Sequence, residues 1–179
     1  MNIDQIIDKV IEVEGGYSNH PADRGGPTRW GVTEDTARKH GYTGDMRHFP
    51  RSEAVAIYTR RYWHRPGFDR VGEFAPRLAA ELFDTGINMG PAIAAGFLQR
   101  ALNALNRNGG DYDDISADRI IGKKTIDALS RFLGKRGKSG EAVLLKAVEA
   151  LQGERYIHLA EKRPANEAFL YGWLANRIG

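Results

Sequence analysis

The feature that most constrains the fold is a helical spacing of apolar residues that recurs along most of the chain. Residues 3–14, 77–89, 92–105 and 141–162 repeat apolar side chains at helical intervals, which predicts amphipathic or buried α-helices. The pattern is interrupted over residues 17–33, where prolines and glycines mark bends and predict an irregular β-hairpin. The sequence therefore predicts a mainly α fold with one small β-hairpin after the first helix.

Capping residues and helix breakers mark the ends of the other predicted helices. Thr33 and Ser52 are each placed to cap a helix that starts at the following residue. A further helix is predicted over residues 117–134, and the basic, Gly/Ser-containing segment 134–140 is predicted to be a linker.

Composition and charge exclude several classes of protein. The 179 residues suffice for one domain with a core, or for one core shared by two lobes. The 41% apolar and 27% charged residues are typical of a soluble globular protein, and no long apolar run predicts a membrane span. Cysteine is absent and the histidines lack ligand spacing, which predicts neither a disulfide nor a metal site. The net charge of +3 permits an acidic partner surface without requiring nucleic acid.

Two carboxyl residues near the first turn region suggest a catalytic pair. Glu14 ends the first predicted helix, where the helix dipole disfavours a carboxylate and raises the pKa expected for that group. Asp23 follows in the predicted hairpin, in more solvated surroundings. Two carboxyl groups in unlike environments are the arrangement that cleaves glycosidic bonds. The alternative is that Glu14 is an exposed helix end and that Asp23 caps a turn.

The stretch EGGYSNHPADRGGPTRWGVT, which begins at Glu14, resembles the signature of glycoside hydrolase family 108. That family comprises the N-acetylmuramidases of phage endolysins and of some bacterial secretion systems. YTRRYW at 58–63 and FDTGINMGPAIAAGFLQRALN at 83–103 are similar to two further family segments. ADRIIGKKTIDAL at 117–129 and FLYGWLANR at 169–177 are similar to its attached peptidoglycan-binding region. The resemblance covers nearly the whole chain.

This resemblance implies a lysozyme-like helical fold and a set of catalytic residues. The spacing of Glu14 and Asp23, followed by Thr28, is also similar to the catalytic triplet of phage-type lysozymes. By that similarity Glu14 is the general acid, and Asp23 and Thr28 position a water molecule or stabilise positive charge at the sugar. Retention or inversion of configuration depends on the distance between the two carboxyl groups.

Four further residues are candidates for substrate binding. Tyr17 and Tyr58 are candidates to stack on sugar rings, although aromatic residues at helical spacing also form protein cores. Asp84 and Asn88 lie one helical turn apart in a family-like segment. They are expected either to line the cleft and bind an N-acetyl or hydroxyl group, or to tie the hairpin to the helix.

The function implied by the resemblance is hydrolysis of the β-1,4 bond between N-acetylmuramic acid and N-acetylglucosamine in peptidoglycan. The alternatives are a non-catalytic wall-binding or secretion accessory protein and a lytic transglycosylase. We expect a muramidase region at 1–90 and a helical peptidoglycan-binding region at 91–179, packed as one body. No cofactor, nucleic acid or oligomeric partner is expected, and a basic stretch in the second region offers contact with anionic envelope surfaces. The N-terminus does not resemble a signal peptide, which predicts a cytoplasmic protein that reaches the wall after release.

Overall fold

The computed structural model describes residues 3–14, 16–19 and 26–179, except the side chains of Val13, Glu14 and Lys138. Contacts between residues divide the chain into two units, Met1–Arg65 and Pro66–Gly179. Helices dominate both units, and a small antiparallel sheet lies in the first. The predicted fold class, mainly α with a small β element after the first helix, is confirmed and is consistent with a lysozyme-like fold.

The first unit contains short helices and a three-stranded sheet. Its elements are α1 (Ile3–Glu14), β1 (Tyr17–Ser18), β2 (Thr28–Arg29), β3 (Val32–Thr33), α2 (Glu34–Lys39), a 3-10 turn (Met46–His48), α3 (Arg51–Tyr58) and a π-helical segment (Thr59–His64). The strands pair antiparallel in the order β1-β2-β3, so the predicted hairpin is extended by one strand.

Apolar residues at helical spacing hold this unit together. Ile6, Ile7 and Ile11 are buried along one side of α1, which packs against α3. The predicted cap of α2 is confirmed, because Thr33 Oγ1 accepts a hydrogen bond from the backbone N–H of Thr36. The cap predicted at Ser52 is wrong, since α3 begins one residue earlier, directly after Pro50.

The second unit is entirely helical in its regular structure. Its elements are α4 (Phe68–Gly72), α5 (Pro76–Met89), α6 (Pro91–Ala104), α7 (Lys123–Arg136), a 3-10 turn (Gly137–Ser139), α8 (Gly140–Lys162), a second 3-10 turn (Pro164–Asn166) and α9 (Glu167–Arg177). In the described part of the chain, no helix combines the length and the apolar character needed to cross a membrane.

The core of the second unit lies where α5, α6 and α8 pack on one another. Leu82 and Phe83 of α5, Leu98 of α6 and Leu144 of α8 are fully buried. Helix α5 therefore packs with helices that lie beyond residue 90. The division into regions 1–90 and 91–179 and their packing as one body stay predictions.

Two amide side chains of α6, and Asn106 just after it, hold the irregular segment 105–122 in place. Gln99 Nε2 donates to Asp118 Oδ1 (2.8 Å), and Gln99 Oε1 accepts from the backbone N–H of Arg119 (2.8 Å). Asn103 exchanges two hydrogen bonds with the backbone of Ile115, and Asn106 donates to Asp114. Gln99 and Asn103 face one side of α6 because they are four residues apart, about one helical turn.

These contacts shorten the helix predicted over residues 117–134. Because Gln99 binds the backbone around Arg119 and Ile120, that stretch is not helical and α7 begins only at Lys123. The predicted linker at 134–140 is also shorter than expected. Helix α7 continues to Arg136, and α8 begins at Gly140 after a single 3-10 turn.

Candidate active site

Helix α1 ends at the residue expected to be the general acid. Its last residue is Glu14, and the chain enters β1 at Tyr17. The carbonyl groups at a helix C-terminus present partial negative charge, which opposes ionisation of a carboxyl group placed there. The side chain of Glu14 lies outside the described part of the structure, as does the whole of Asp23.

The small sheet brings Tyr17 and Thr28 onto neighbouring strands. Ser18 of β1 pairs with Thr28 of β2, and Tyr17 pairs with Arg29. Thr28 is half-buried and its hydroxyl donates to the carbonyl of Gly26 at 3.2 Å. Tyr17 is 39% exposed, which leaves its ring accessible for contact with a ligand. Tyr17 and Thr28 therefore lie on paired strands close in sequence to the end of α1, but their side chains point to opposite faces of the sheet because successive residues of a strand alternate.

The Trp-Gly-Val-Thr motif at residues 30–33 forms the turn between β2 and β3 and the strand β3 itself. Trp30 and Gly31 occupy the two turn positions with φ of 54° and 71°, the signs required by a tight type I′ turn. The Trp30 indole N–H donates to the carbonyl of Phe49 at 3.2 Å. Val32 is buried and Thr33 caps α2. The motif thus sets the position of Thr28, which pairs with Thr33 across the hairpin.

Tyr58 is placed differently from Tyr17. It ends α3, is only 8% exposed, and stacks on Tyr62 with ring centroids 5.8 Å apart. The helix then continues as a π-helical segment, in which the Arg65 N–H donates to the carbonyl of Arg60. The burial of Tyr58 favours a packing role, and its contact with substrate stays a prediction.

Asp84 and Asn88 lie together on α5, in the second unit. Asn88 Nδ2 donates to the Asp84 carbonyl at 2.7 Å and to Asp84 Oδ2 at 3.1 Å. Arg177 of α9 forms an ion pair with the same carboxylate at 3.3 Å. The pair therefore joins α5 to α9, and Asn88 stays exposed at the end of the helix. The predicted site residues fall into two groups, one in each unit.

The structure adds a carboxyl group that sequence reasoning missed. Burial raises the pKa of Glu81 on α5 to about 7, and the charges of Asp84 and Glu149 add to that effect. The Gln152 amide of α8 is fully buried, donates to Glu81 Oε1 at 2.9 Å and accepts from the Thr85 hydroxyl at 3.0 Å. The signal in the sequence is a lone glutamate between apolar residues of a buried helix. Because its carboxyl is hydrogen-bonded between α5 and α8, we interpret Glu81 as a structural group.

Among the described residues, no three carboxylate or imidazole side chains converge in a way that would hold a metal ion. Near the end of α1, the described part of the first unit presents the hydroxyl of Thr28 and the ring of Tyr17. Carboxyl groups supply general acid and base catalysis without a metal, which is how most glycosidases act.

Comparison with known proteins accounts for both halves of the chain. Residues 7–90 match the glycosyl hydrolase 108 family and residues 93–178 match a predicted peptidoglycan domain. The solved structure of SagA from Brucella abortus is similar, with 22% sequence identity and a TM-score of 0.60, over 97% of this chain and 88% of SagA. At that identity the similarity concerns the fold alone. The search of curated proteins gave no match.

The two family matches follow one another with almost no gap, and they agree with the motifs at both ends of the chain. The first match is a glycosidase and the second a peptidoglycan domain, and together they indicate that the ligand of this chain is peptidoglycan. Residues 7–90 therefore belong to the glycosyl hydrolase 108 family, residues 93–178 form a predicted peptidoglycan domain, and the chain is a peptidoglycan hydrolase.

Proposed function

We propose that the chain is an N-acetylmuramidase, which hydrolyses the β-1,4 bond from N-acetylmuramic acid to N-acetylglucosamine. The observation that carries the proposal is the join between α1 and the sheet, since α1 ends at Glu14 and β1 pairs directly with the strand that holds Thr28. A glutamate at a helix C-terminus holds its proton more tightly than one in free solution, as a general acid requires.

In the proposed reaction, Glu14 donates its proton to the glycosidic oxygen as the bond to the anomeric carbon breaks. Positive charge then develops on the ring, and an ionised Asp23 stabilises it or orients the attacking water. Thr28 assists by holding that water or the aspartate. Water supplies the hydroxyl group of the new reducing end, and its remaining proton restores the acid.

The test is the substitution Glu14→Gln, with Glu12→Gln as the matched control. Glu12 lies on the same helix and is exposed, so its substitution removes the same charge at the surface. We expect Glu14→Gln to lower peptidoglycan clearance by about 10²–10⁴-fold, the usual contribution of a general acid. Glu12→Gln is expected to keep wild-type activity. A correctly folded Glu14→Gln protein that still clears peptidoglycan at the wild-type rate would contradict the assignment.

Mass spectrometry of the released fragments separates this reaction from the alternatives. Reducing-end N-acetylmuramic acid is the expected product. Anhydro-muramic ends would identify a lytic transglycosylase, and reducing-end N-acetylglucosamine would identify a glucosaminidase. Binding to purified cell walls without any released fragment would favour the non-catalytic wall-binding protein.

A further inference from the structure

The second unit contains a cavity of about 350 Å³ that the hydrolytic reaction does not use. It lies where the end of α5 and the start of α6 meet α8 and α9. Its wall combines apolar side chains with a phenol, an indole, an amide and two guanidinium groups. Sites for small molecules are typically concave and mostly apolar, with a few polar groups that orient the ligand.

One polar group of a residue that lines the cavity has no hydrogen-bond partner within 3.5 Å among the described residues. The Tyr156 side chain is 4% exposed, and its hydroxyl is buried without a hydrogen bond to any described residue. The nearby Gln152 amide donates to Glu81 and to the carbonyl of Arg177, and its oxygen accepts from the Thr85 hydroxyl. Burial also raises the pKa of Tyr156, so its hydroxyl stays a donor at neutral pH. An unsatisfied buried donor costs free energy, and a ligand acceptor in the cavity would remove that cost.

The charge in the cavity comes mainly from Arg155. Its side chain is half-buried, and within the described part of the chain its guanidinium forms neither a hydrogen bond nor an ion pair. Arg177 also lines the cavity, but its charge is largely balanced by Asp84. One free guanidinium beside a buried hydroxyl donor is a combination that suits a carboxylate.

The aromatic residues of the cavity argue against a sugar as the ligand. The indole of Trp173 stacks on Tyr156, with ring centroids 5.2 Å apart, and on Phe169, at 6.1 Å. Two rings already pack on the indole, which reduces the aromatic surface left for stacking on a pyranose ring. Met89, Ile93 and Leu159 complete an apolar wall of a size that suits small aliphatic side chains.

We propose that this cavity binds a carboxylate-bearing segment of a short peptide, the chemistry of the stem peptides of peptidoglycan. Arg155 pairs with the peptide carboxylate, the Tyr156 hydroxyl donates to the same group, and the apolar wall packs on a small side chain such as that of alanine. The proposal rests on peptidoglycan as the ligand of the proposed muramidase, but it does not depend on bond cleavage. The second unit thus recognises peptide while the first acts on glycan.

The test is calorimetric titration of the full-length Glu14→Gln protein, in which hydrolysis is disabled. The probes are a synthetic stem tetrapeptide with free carboxylates, the same peptide with every carboxylate amidated, and the peptide-free sugar tetra-N-acetylchitotetraose. We expect the carboxylate peptide to bind at least tenfold more tightly than the amidated one, as for a charge-assisted hydrogen bond.

Variants of the cavity locate the binding. Arg155→Ala is expected to weaken binding of the carboxylate peptide about tenfold or more, with partial recovery in Arg155→Lys, and Tyr156→Phe about fivefold. Lys146→Ala is the matched control, because it removes one exposed charge from the same helix. Circular dichroism verifies that each variant is folded. Binding that is insensitive to amidation or to Arg155→Ala, or the absence of peptide binding, would overturn the proposal.

A result in which only the sugar binds, and Tyr156→Phe weakens that binding, would also overturn it in favour of a glycan site. The outcome is separable from that of the proposed function. Peptide binding and its loss in Arg155→Ala test the cavity, whether or not fragments are released. Release of glycan fragments by the wild type tests the proposed hydrolysis by Glu14.

Discussion

Replacing Glu81 by glutamine tests whether a buried carboxyl group limits the stability of the second unit. Burial raises the pKa of Glu81 from 4.5 to about 7. Each pH unit between such values corresponds to about 1.4 kcal/mol, so the ionised carboxylate costs the folded state up to about 3 kcal/mol. Glutamine has almost the same shape and keeps an oxygen that accepts from Gln152, but it has no charge to bury.

The direction of the pH dependence follows from the raised pKa. Because the folded state holds this proton more tightly than the unfolded state, the wild type is most stable, as far as Glu81 is concerned, below pH 4.5. That stability is lost as the pH rises to about 7, and the loss is then complete. Glu81→Gln should therefore match the wild type in acid and exceed it at pH 8 by up to about 3 kcal/mol.

The assay is urea unfolding at a series of pH values between pH 4.5 and pH 8.5, followed by circular dichroism. The quantity of interest is the difference between variant and wild type, since contributions from other titrating groups cancel in it. Glu154→Gln, which removes an exposed carboxylate from α8, serves as the control and should give a difference near zero. A difference for Glu81→Gln that does not change with pH would refute the reasoning.

Three further substitutions and two fragments test the fold. Gly31→Ala places a Cβ on a residue with φ of 71° and should lower the free energy of unfolding by about 1–2 kcal/mol. Gly134→Ala is the contrasting case, because α7 leaves open space around the added carbon and alanine favours a helix; it should raise thermal stability. Gln99→Leu should cost about 2–4 kcal/mol in denaturant unfolding, because the buried Thr125 hydroxyl and the backbone groups of Arg119 and Ile120 lose their hydrogen bonds. A fragment of residues 66–179 should melt cooperatively, and one of 91–179, which lacks α5, should not; a folded 91–179 fragment would contradict this.

The sequence determined the elements whose signals are local. The apolar spacing of residues 3–14 predicted α1 with its observed bounds, and Thr33 predicted the start of α2, because each signal acts within one or two helical turns. The turn-rich segment after α1 was predicted as β structure, but its third strand was not. The Trp30–Gly31 turn that creates that strand needs an aromatic residue at positive φ, which few side chains adopt and which the indole bond to Phe49 supports.

Sequence motifs also identified the family, because the residues around the turn are specific in type and spacing. Of the predicted site residues, Tyr17 and Thr28 lie on paired strands, and Asp84 and Asn88 form one hydrogen-bonded pair. Their roles toward substrate stay predictions, as do those of Glu14 and Asp23. Tyr58 shows the limit of the method, since its ring stacking on Tyr62 is compatible with either burial or exposure until the packing around α3 is known.

Only the tertiary structure decided the properties that arise between distant segments. The start of α7 at Lys123, rather than near residue 117, depends on the Gln99 amide about twenty residues earlier. The pKa of Glu81 near 7 depends on burial against α8, and the cavity of Arg155 depends on four helices that meet. Hydrogen bonding, desolvation and cavity shape depend on which helices pack together. The spacing of apolar residues within one segment does not predict its packing partners.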